Sequence, residues 1–324
     1  MTGYLISIAT SVGFFMILAL ALNLQWGMTG MVNFGVAGFY GIGAYTSGLL
    51  TVKAGVPVGV AIVLAGGAGL LFGAAVAALT VRLKDDFLAI VTLGFGESAR
   101  LVFLNEDWLT NGPRGLPIDV RPMASWFGRE TYSLVYLGLV IAVVAACFAI
   151  AEVLRRAPYG RVLRAIREDD LVAAVLGKPV LRYRMQVFAV GTGMMGVAGA
   201  LYAHYIQNIS PAHFTTFVAI FIWMSVIVGG AGNNKGLLIG AGAVMTILEG
   251  SRFLSDLVPF LESAQISALR IIVIGTAIIL MIRFRPQGLL SEPRFSGARF
   301  AGGPEPPRHG QDRDRQATTQ GEHP

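Results

Sequence analysis

The sequence has few charged residues and very little cysteine. Only 14% of its 324 residues are Asp, Glu, Lys or Arg, whereas 54% are hydrophobic, and this balance is too apolar for a soluble globular protein of this length. The single cysteine, Cys147, excludes an intramolecular disulfide and a cysteine metal cluster, and the apolar run around it predicts a buried small side chain. The composition therefore indicates an integral membrane protein.

Several catalytic motifs are also missing. The sequence contains no HExxH, and its four histidines do not share a zinc-ligand spacing on one helix, so no metal site is expected. The nearest relative of a phosphate-binding loop, GGAGNNKG at Gly229 to Gly236, lacks the Ser or Thr that would bind magnesium. A chain of acidic groups for proton relay is not visible either. We expect a non-catalytic chain that binds no cofactor itself.

What is present is a series of apolar runs long enough to cross a bilayer as helices. The runs do not alternate, which argues against a barrel, and the first lacks a basic leader and a small-residue cleavage site, so we expect it to be retained. We predict an all-α polytopic membrane protein with about nine transmembrane segments, at residues 4–24, 32–52, 56–81, 87–104, 132–154, 185–206, 214–231, 236–254 and 266–282.

The C-terminal part has a different composition. From about Ser291 the chain is rich in Pro, Gly, Arg and Gln without an apolar period, which predicts a transmembrane domain at 1–290 and a disordered tail at 291–324. Arg and acidic residues balance in that tail, so the net charge of +6 belongs to the membrane body. We expect the protein to lie in a lipid bilayer and not to bind nucleic acid.

The distribution of Lys and Arg predicts the orientation. If the central insert at 155–184 is cytoplasmic, alternating crossings place thirteen Lys and Arg residues on its side of the membrane and four on the other. Cytoplasmic loops of bacterial inner-membrane proteins are enriched in these residues. We therefore predict an external N-terminus, a cytoplasmic C-terminal tail and an odd number of crossings.

The second apolar segment is rich in glycine, which in lipid permits close approach of helices or a departure from helical geometry beside a cavity. Its polar beginning, Thr29 to Asn33, is interpreted as a break that dips toward the membrane interior. Close helix packing without substrate contact is the alternative. The candidate residues for the break or the translocation path are Thr29, Asn33, Gly35, Gly38 and Gly41.

Two pairs of opposite charges lie within apolar segments. Glu97 and Arg100 are three residues apart, and Glu249 and Arg252 repeat this spacing, so each pair can neutralise itself on one helix face. Charges in lipid are expensive and usually face the bundle interior. The two interpretations are a structural role near the outer membrane edge and a role in the translocation path.

A long connection, residues 105–131, lies on the predicted external side. Its TNGPRGLP stretch contains Gly and Pro residues that impose tight turns. The connection is longer than a hairpin needs, which fits either a docking site for an external partner or an ordered lid over the helices.

The central insert, 155–184, is the most charged stretch of the membrane body. As one helix it would gather Val162, Ala165, Ile166, Val172, Ala173 and Leu176 into an apolar arc that Asp169 interrupts. We instead predict that Asp169 and Asp170 form an N-cap between two short helices at 159–168 and 171–176, with Pro158 at the start and Gly177 at the end. An amphipathic hairpin lying on anionic lipid remains open at this point.

Four patches resemble the membrane permease subunits of branched-chain amino-acid ABC importers, of the kind paired with a second, related permease. The resemblance covers roughly residues 9–290, and its third patch is the most specific. The patches are LNLQWGMTGMVNFGVAGFYGIGAY (22–45), TNGPRGL (110–116), YGRVLRAIREDDLVAAVLGKPVLRYRMQVFAVGTGMMGVAGALYA (159–203) and GGAGNNKGLLIGA (229–241).

In that family the third patch resembles a cytoplasmic coupling loop that sits in a cleft of the ATPase. Two positions depart from the pattern: Ala174 stands where relatives often have an acidic residue, and Val36 where many have His. The residues that the resemblance implies as ATPase contacts or as the loop glycine are Arg161, Arg164, Arg167, Glu168 and Gly177.

The resemblance implies a fold like that of type II ABC importer permeases, in the bacterial inner membrane. It also implies a homologous second permease, two ATPase subunits that hold ATP and magnesium, and an external substrate-binding protein. The implied substrates are leucine, isoleucine and valine, with urea, short amides or other amino acids as alternatives. An ion-coupled secondary transporter and a structural or lipid-binding membrane protein are the rival classes.

Overall fold

The computed structural model describes residues 2–80, 82–83, 85–120, 122 and 129–250, and a few positions beyond them: 269, 272, 275–276, 279, 283 and 288–290. Within these residues the chain is predominantly α-helical, as the sequence predicts. The helices are α1 Thr2–Thr29, α2 Val36–Val52, α3 Val58–Thr80, α4 Asp85–Asn105, α5 Asp107–Thr110, α6 Arg129–Arg156, α7 Pro158–Glu168, α8 Asp170–Val175, α9 Val180–Ile206, α10 Thr216–Gly229 and α11 Asn234–Gly250.

Five of these helices, α1, α3, α4, α6 and α9, are long and apolar enough to cross a membrane, and α2 and α10 are shorter apolar helices. Some boundaries differ from the prediction: α1 continues to Thr29, and α2 begins only at Val36. Most of the predicted ninth segment, 266–282, lies outside the described residues, as do the tail at 291–324 and Arg252.

Helix α9 lies at the centre of the bundle and packs against α1, α2 and α3. These backbones approach so closely that glycine is required at the crossings. A side chain at Gly43 of α2 would collide with the backbone of Gly196, and a Cβ on Gly196 would lie 2.5 Å from the carbonyl oxygen of Ala65 in α3. Small residues therefore bring three helices together, as is usual in membrane bundles.

One end of the bundle, which we call the strand end, carries an ordered cap. Strands β1 (Leu116–Pro117) and β2 (Asn208–Ile209) pair antiparallel there. The Lys53 ammonium donates hydrogen bonds to the carbonyl oxygens of Trp108 and Leu109, at 2.9 and 3.0 Å. The described part of the 105–131 connection is thus ordered.

The opposite end, which we call the insert end, carries α7 and α8.

The two ends of the described chain lie at different ends of the bundle. The Tyr4 hydroxyl donates to the backbone carbonyl of Glu249 (3.1 Å), which places the start of α1 beside the end of α11, at the strand end. The amide of Leu289 donates to the carbonyl of Val228 (2.8 Å), at the end of α10. Residues 4 and 289 therefore lie at opposite ends, as an odd number of crossings requires.

The predicted division of the insert is confirmed. One carboxylate oxygen of Asp169 accepts hydrogen bonds from the amides of Leu171 and Val172, at 2.9 and 3.0 Å, so Asp169 is the N-cap of α8. Pro158 is the first residue of α7, and Gly177 follows α8 with a φ of 75°, a conformation that favours glycine.

The structure also rules out the alternative set aside above, in which the insert is one helix with a single apolar arc. Ile166 and Ala173 are buried, but Val172 and Leu176 are exposed. The physical reason is the extended backbone at Asp169, which changes the chain direction so that α7 and α8 do not share one face.

Candidate functional site

Helix α7 packs on the bundle through Gly160, Leu163 and Ile166, which are buried. Arg161 and Glu168 are exposed, and Arg164 is half-exposed. The structure thus leaves the first two of these predicted contact residues on the outside of the protein, at the insert end.

Helix α8 presents an apolar surface beside them, which the sequence reasoning missed. Three of its side chains and that of the next residue are involved, and a six-residue helix is too short for a periodic pattern to reveal their exposure. The exposed fractions are 74% for Leu171, 55% for Val172, 88% for Val175 and 71% for Leu176. We call these four residues, with Arg161 and Glu168, the insert surface.

Arg167 has a different environment from the other predicted contact residues. Its guanidinium donates a hydrogen bond to the carbonyl oxygen of Gly27, near the end of α1. A Cβ on Gly30 would lie 3.6 Å from the Arg167 side chain. Arg167 therefore fastens α7 to α1, and its side chain is partly buried. Gly177 is exposed and forms the turn after α8.

The predicted helix break is present at residues 30–35, between α1 and α2. The Asn33 side-chain amide donates to the side-chain oxygen of Gln25 (2.8 Å), whose own amide donates to the carbonyl of Phe188 in α9 (3.0 Å). The carbonyl of Asn33 accepts from the Trp223 indole of α10 (3.0 Å). The break is thus held inside the bundle by three helices, and Gln25 is an organising residue that the sequence reasoning missed.

The other candidate residues of the break are also inside the protein. Thr29 is buried, and its hydroxyl donates to the backbone carbonyl of Gln25. Added Cβ atoms at Gly35, Gly38 and Gly41 would lie 2.6 to 2.7 Å from atoms of α4. This geometry is that of close packing between α2 and α4.

A second polar cluster, which we call the polar bridge, joins α1, α6 and α11 at the insert end. The Asn23 amide donates to the side-chain oxygen of Asn234 (2.9 Å), and the Asn234 amide donates to the Glu152 carboxylate (3.0 Å). The side-chain oxygen of Asn23 also accepts from the amide of Gly232 (2.8 Å). Glu152 completes the cluster through ion pairs at 2.6 Å with the neighbouring arginines of α6.

The first predicted intramembrane pair forms. Glu97 and Arg100 make an ion pair on α4, with side chains 41% and 23% exposed. Both lie well inside the 86–105 span, whereas the sequence suggested the outer edge as one location. Of the second pair only Glu249 is described, at the strand end of α11.

The described residues contain no group of three or more His, Cys, Asp or Glu that could hold a metal ion. Cys147 is buried, as predicted. His204 is buried between the Ser47 hydroxyl (2.9 Å) and the carbonyl of Val120 (3.1 Å). Partial burial lowers the pKa of His213, which lies in the cap at the strand end. The hydrogen bonds of His204 and the partial burial of His213 indicate structural roles for both side chains.

Comparisons with known proteins agree with this geometry. The family model described as branched-chain amino acid transport system / permease component matches residues 4–282. The chain is 32% identical to the high-affinity branched-chain amino acid transport system permease protein LivM of Salmonella typhimurium over 318 residues, covering 89% of this chain and 70% of that protein. It is 27% identical to a probable LivM of Methanocaldococcus jannaschii, covering 86% of this chain and 91% of that protein.

A related but different permease also matches. The chain is 26% identical to the permease protein LivH of Escherichia coli over 293 residues, covering 86% of this chain and 91% of that protein. No solved structure matches the chain. The helical bundle, the family match over most of the sequence and the LivM relatives together show that this chain belongs to the family of branched-chain amino acid transport permease components.

Proposed function

We propose that this chain forms part of the translocation path of an ABC importer for leucine, isoleucine and valine. The observation that carries the proposal is the match to LivM proteins along nearly the whole chain, since their names give branched-chain amino acids as the transported solutes.

The insert surface supports ATPase subunits as partners. Four exposed apolar side chains at the water-exposed end of a membrane protein lose favourable burial, at about 25 cal/mol per Å² of apolar area, unless another protein covers them. Arg161 and Glu168 add charged groups at the rim. ATP and magnesium would bind to the ATPase subunits. In this assembly the insert end faces the cytoplasm, and the tail follows it there.

The strand end then faces outside and receives the external binding protein. The ordered cap, in which Lys53 and Trp108 are exposed and joined by a hydrogen bond, gives that protein a defined surface. A homologous second permease completes the path, because both LivM-like and LivH-like relatives exist in the same family. In this proposal selectivity lies mainly in the binding protein, in keeping with the lack of a recognisable amino-acid-binding motif in the sequence.

The contacts of α1 suggest how force reaches the path. A push on α7 is passed through Arg167 to the carbonyl of Gly27. About half a turn before Gly27, Gln25 holds the helix break through Asn33, and about one turn before it, Asn23 holds the loop at Gly232. The last turns of α1 thus link the ATPase contact to the two irregular segments of the bundle.

Reconstitution tests the substrate. The chain, its second permease, the ATPases and the binding protein are placed in proteoliposomes, and uptake of labelled leucine is measured against excess isoleucine, valine, urea or acetamide. We expect isoleucine and valine to compete and urea and acetamide not to. Competition by urea or acetamide alone would contradict the assigned substrate but leave the assignment to the importer class intact.

A further inference from the structure

Helix α4 has an outward face unlike those of its neighbours. At 100° per residue, Phe87, Ile90, Gly94, Ser98 and Leu101 point in one direction, and all five are exposed. Glu97 lies at the edge of this face. We call these six residues the α4 face. The opposite side of α4 packs on α2, where a Cβ on Gly38 would lie 2.7 Å from the backbone of Gly96.

The ion pair beside this face is deep in the span. At about 1.5 Å per residue, Glu97 lies about 2 Å and Arg100 about 7 Å from the midpoint of residues 86–105. The hydrocarbon core is about 30 Å thick, so both groups lie within it when α4 crosses the membrane. They are 41% and 23% exposed in this chain. Ionisable side chains at that depth face protein or water, because contact with lipid costs several kcal/mol.

Other exposed helix faces are those expected against lipid. The outward residues of α3 include Val63 and Leu71, and those of α6 include Ile141 and Ile150. These large apolar side chains suit acyl chains. The α4 face differs, because two small residues one turn apart lie next to the exposed charges.

Gly94 has no packing role within the described chain. A Cβ added there would meet no atom of the described chain within 4 Å, whereas one added to neighbouring Gly96 would lie 3.2 Å from Gly35. With Ser98 four residues later, Gly94 forms the small-residue pair that lets a second transmembrane helix approach closely.

We propose that the α4 face packs against the second permease subunit and thereby removes the Glu97–Arg100 pair from lipid. The choice of partner rests on the proposed function, in which two permeases form the path. A protein surface fits both features of the face: it supplies polar groups for the charges and a helix for the small-residue pair. Lipid suits neither the charges nor the small-residue pair, and a water-filled channel suits only the charges.

Photo-crosslinking in the assembled importer tests the contact. A benzoylphenylalanine replaces Ile90 or Leu101 in one set of variants, and Val63 on α3 or Ile141 on α6 in the matched control set. We expect adducts with the mass of two permeases from the first set and lipid adducts from the controls. Lipid adducts from Ile90 and Leu101, in an importer that retains its second permease and its activity, would overturn the contact alone.

Substitution of exposed glycines gives a second readout. Gly94→Leu is expected to lower the recovery of the second permease with the tagged chain by about fivefold, the effect of a loss near 1 kcal/mol. Gly67→Leu on α3 is the matched control, because this exposed glycine also has open space around its Cβ position among the described residues and has Val63 and Leu71, not small residues, one turn away. Equal recovery from the two variants would overturn the proposal.

A thiol experiment separates protein contact from water. In a Cys147→Ala background, Ser98→Cys is treated with a membrane-impermeant maleimide, and Leu171→Cys on the insert surface serves as the labelled reference in inverted vesicles without ATPases. We expect Ser98→Cys to be protected. Labelling as fast as the reference would assign the face to an aqueous channel and contradict packing. If no second permease is recovered even with the wild-type chain, the permease pairing of the proposed function fails as well.

Discussion

Arg161 and Arg167 lie on the same short helix, but their side chains have different surroundings. The Arg161 side chain is exposed, while the Arg167 guanidinium is bonded to the carbonyl of Gly27 in α1. The sequence motif gave both the same role, because the direction of a side chain depends on how α7 sits on the bundle. Their substitutions are therefore expected to differ in kind.

Arg167→Ala is expected to uncouple transport from hydrolysis. Without the bond to Gly27 a push on α7 no longer reaches α1, so leucine transported per ATP hydrolysed should fall by about fivefold or more, the lower end of usual coupling effects. Simultaneous measurement of uptake and phosphate release in proteoliposomes gives this ratio. Arg161→Ala is the control, with an unchanged ratio and weaker ATPase binding. An unchanged ratio in Arg167→Ala would contradict the linkage.

Asn234→Ala is expected to destabilise the protein through the polar bridge. The change leaves the Asn23 amide without its acceptor and removes one donor from Glu152. Buried polar groups left without a partner cost about 1 to 3 kcal/mol. The midpoint of thermal unfolding in detergent should therefore fall. Ser225→Ala is the matched control, because that buried hydroxyl bonds only to Phe221 within its own helix (2.9 Å). Equal midpoints for the two variants would exclude a stabilising bridge.

Sequence spacing predicted contacts within one helix and missed contacts between helices. Glu97 and Arg100 are three residues apart, so helical geometry alone brings them together. Asn234 is 211 positions from Asn23 and 82 from Glu152. Only the packing of α1, α6 and α11 makes them neighbours, and a lone Asn in an apolar run does not identify its partner.

At the scale of elements, α7 and α8 were predictable because their ends depend on local chemistry. Pro158, the Asp169 cap and Gly177 act within a few residues of themselves. The start of α2 was not predictable in the same way. Its start is displaced to Val36 because the Asn33 side chain donates to Gln25 of α1 and the Asn33 carbonyl accepts from Trp223 of α10.

Asp169→Ala is expected to loosen α8. The alanine cannot accept the hydrogen bonds of Leu171 and Val172, and loss of an N-cap costs about 1 kcal/mol. Because α8 has only six residues, this loss should weaken the binding of the ATPase subunits, measured by co-purification at increasing salt. Asp169→Asn keeps an acceptor oxygen and should bind like the wild type. The account of the cap would be contradicted by equal losses in both variants.

Val175→Asp tests the insert surface. Val175 is 88% exposed, so stability should change by less than about 0.5 kcal/mol. A charge in the covered apolar patch should weaken ATPase binding by about tenfold or more, equivalent to about 1.4 kcal/mol. The affinity of detergent-purified permease for the ATPases measures this. Val120→Asp, also exposed but at the strand end, is the control. Unchanged affinity for Val175→Asp would place the ATPase elsewhere.

At the scale of the whole molecule, composition and run length were sufficient for the class of fold. Apolar runs that do not alternate permit only helices in a bilayer, and the structure has them. The arrangement of helices around α9 was not predictable, because many helices carry glycines and only the folded chain shows which of them meet. The exposed ion pair on α4 likewise becomes informative only once the helix face around it is known.

The two ends of the molecule carry different features. The insert, the polar bridge and the loop at Gly232 lie at one end, and the ordered cap lies at the other. In the proposed importer, energy enters at the insert end and substrate at the strand end. The central claim is therefore that transport through this chain depends on ATP hydrolysis by subunits bound at the insert.

The most direct test is leucine uptake by proteoliposomes containing the complete assembly and external binding protein, with ATP and magnesium enclosed at the insert side. The account predicts uptake with ATP, and none when ATP is omitted or when the ATPase subunits are replaced by hydrolysis-deficient variants. Uptake that continues at the same rate without the ATPases, and that collapses when an ion gradient is dissipated, would contradict the account and identify a secondary transporter.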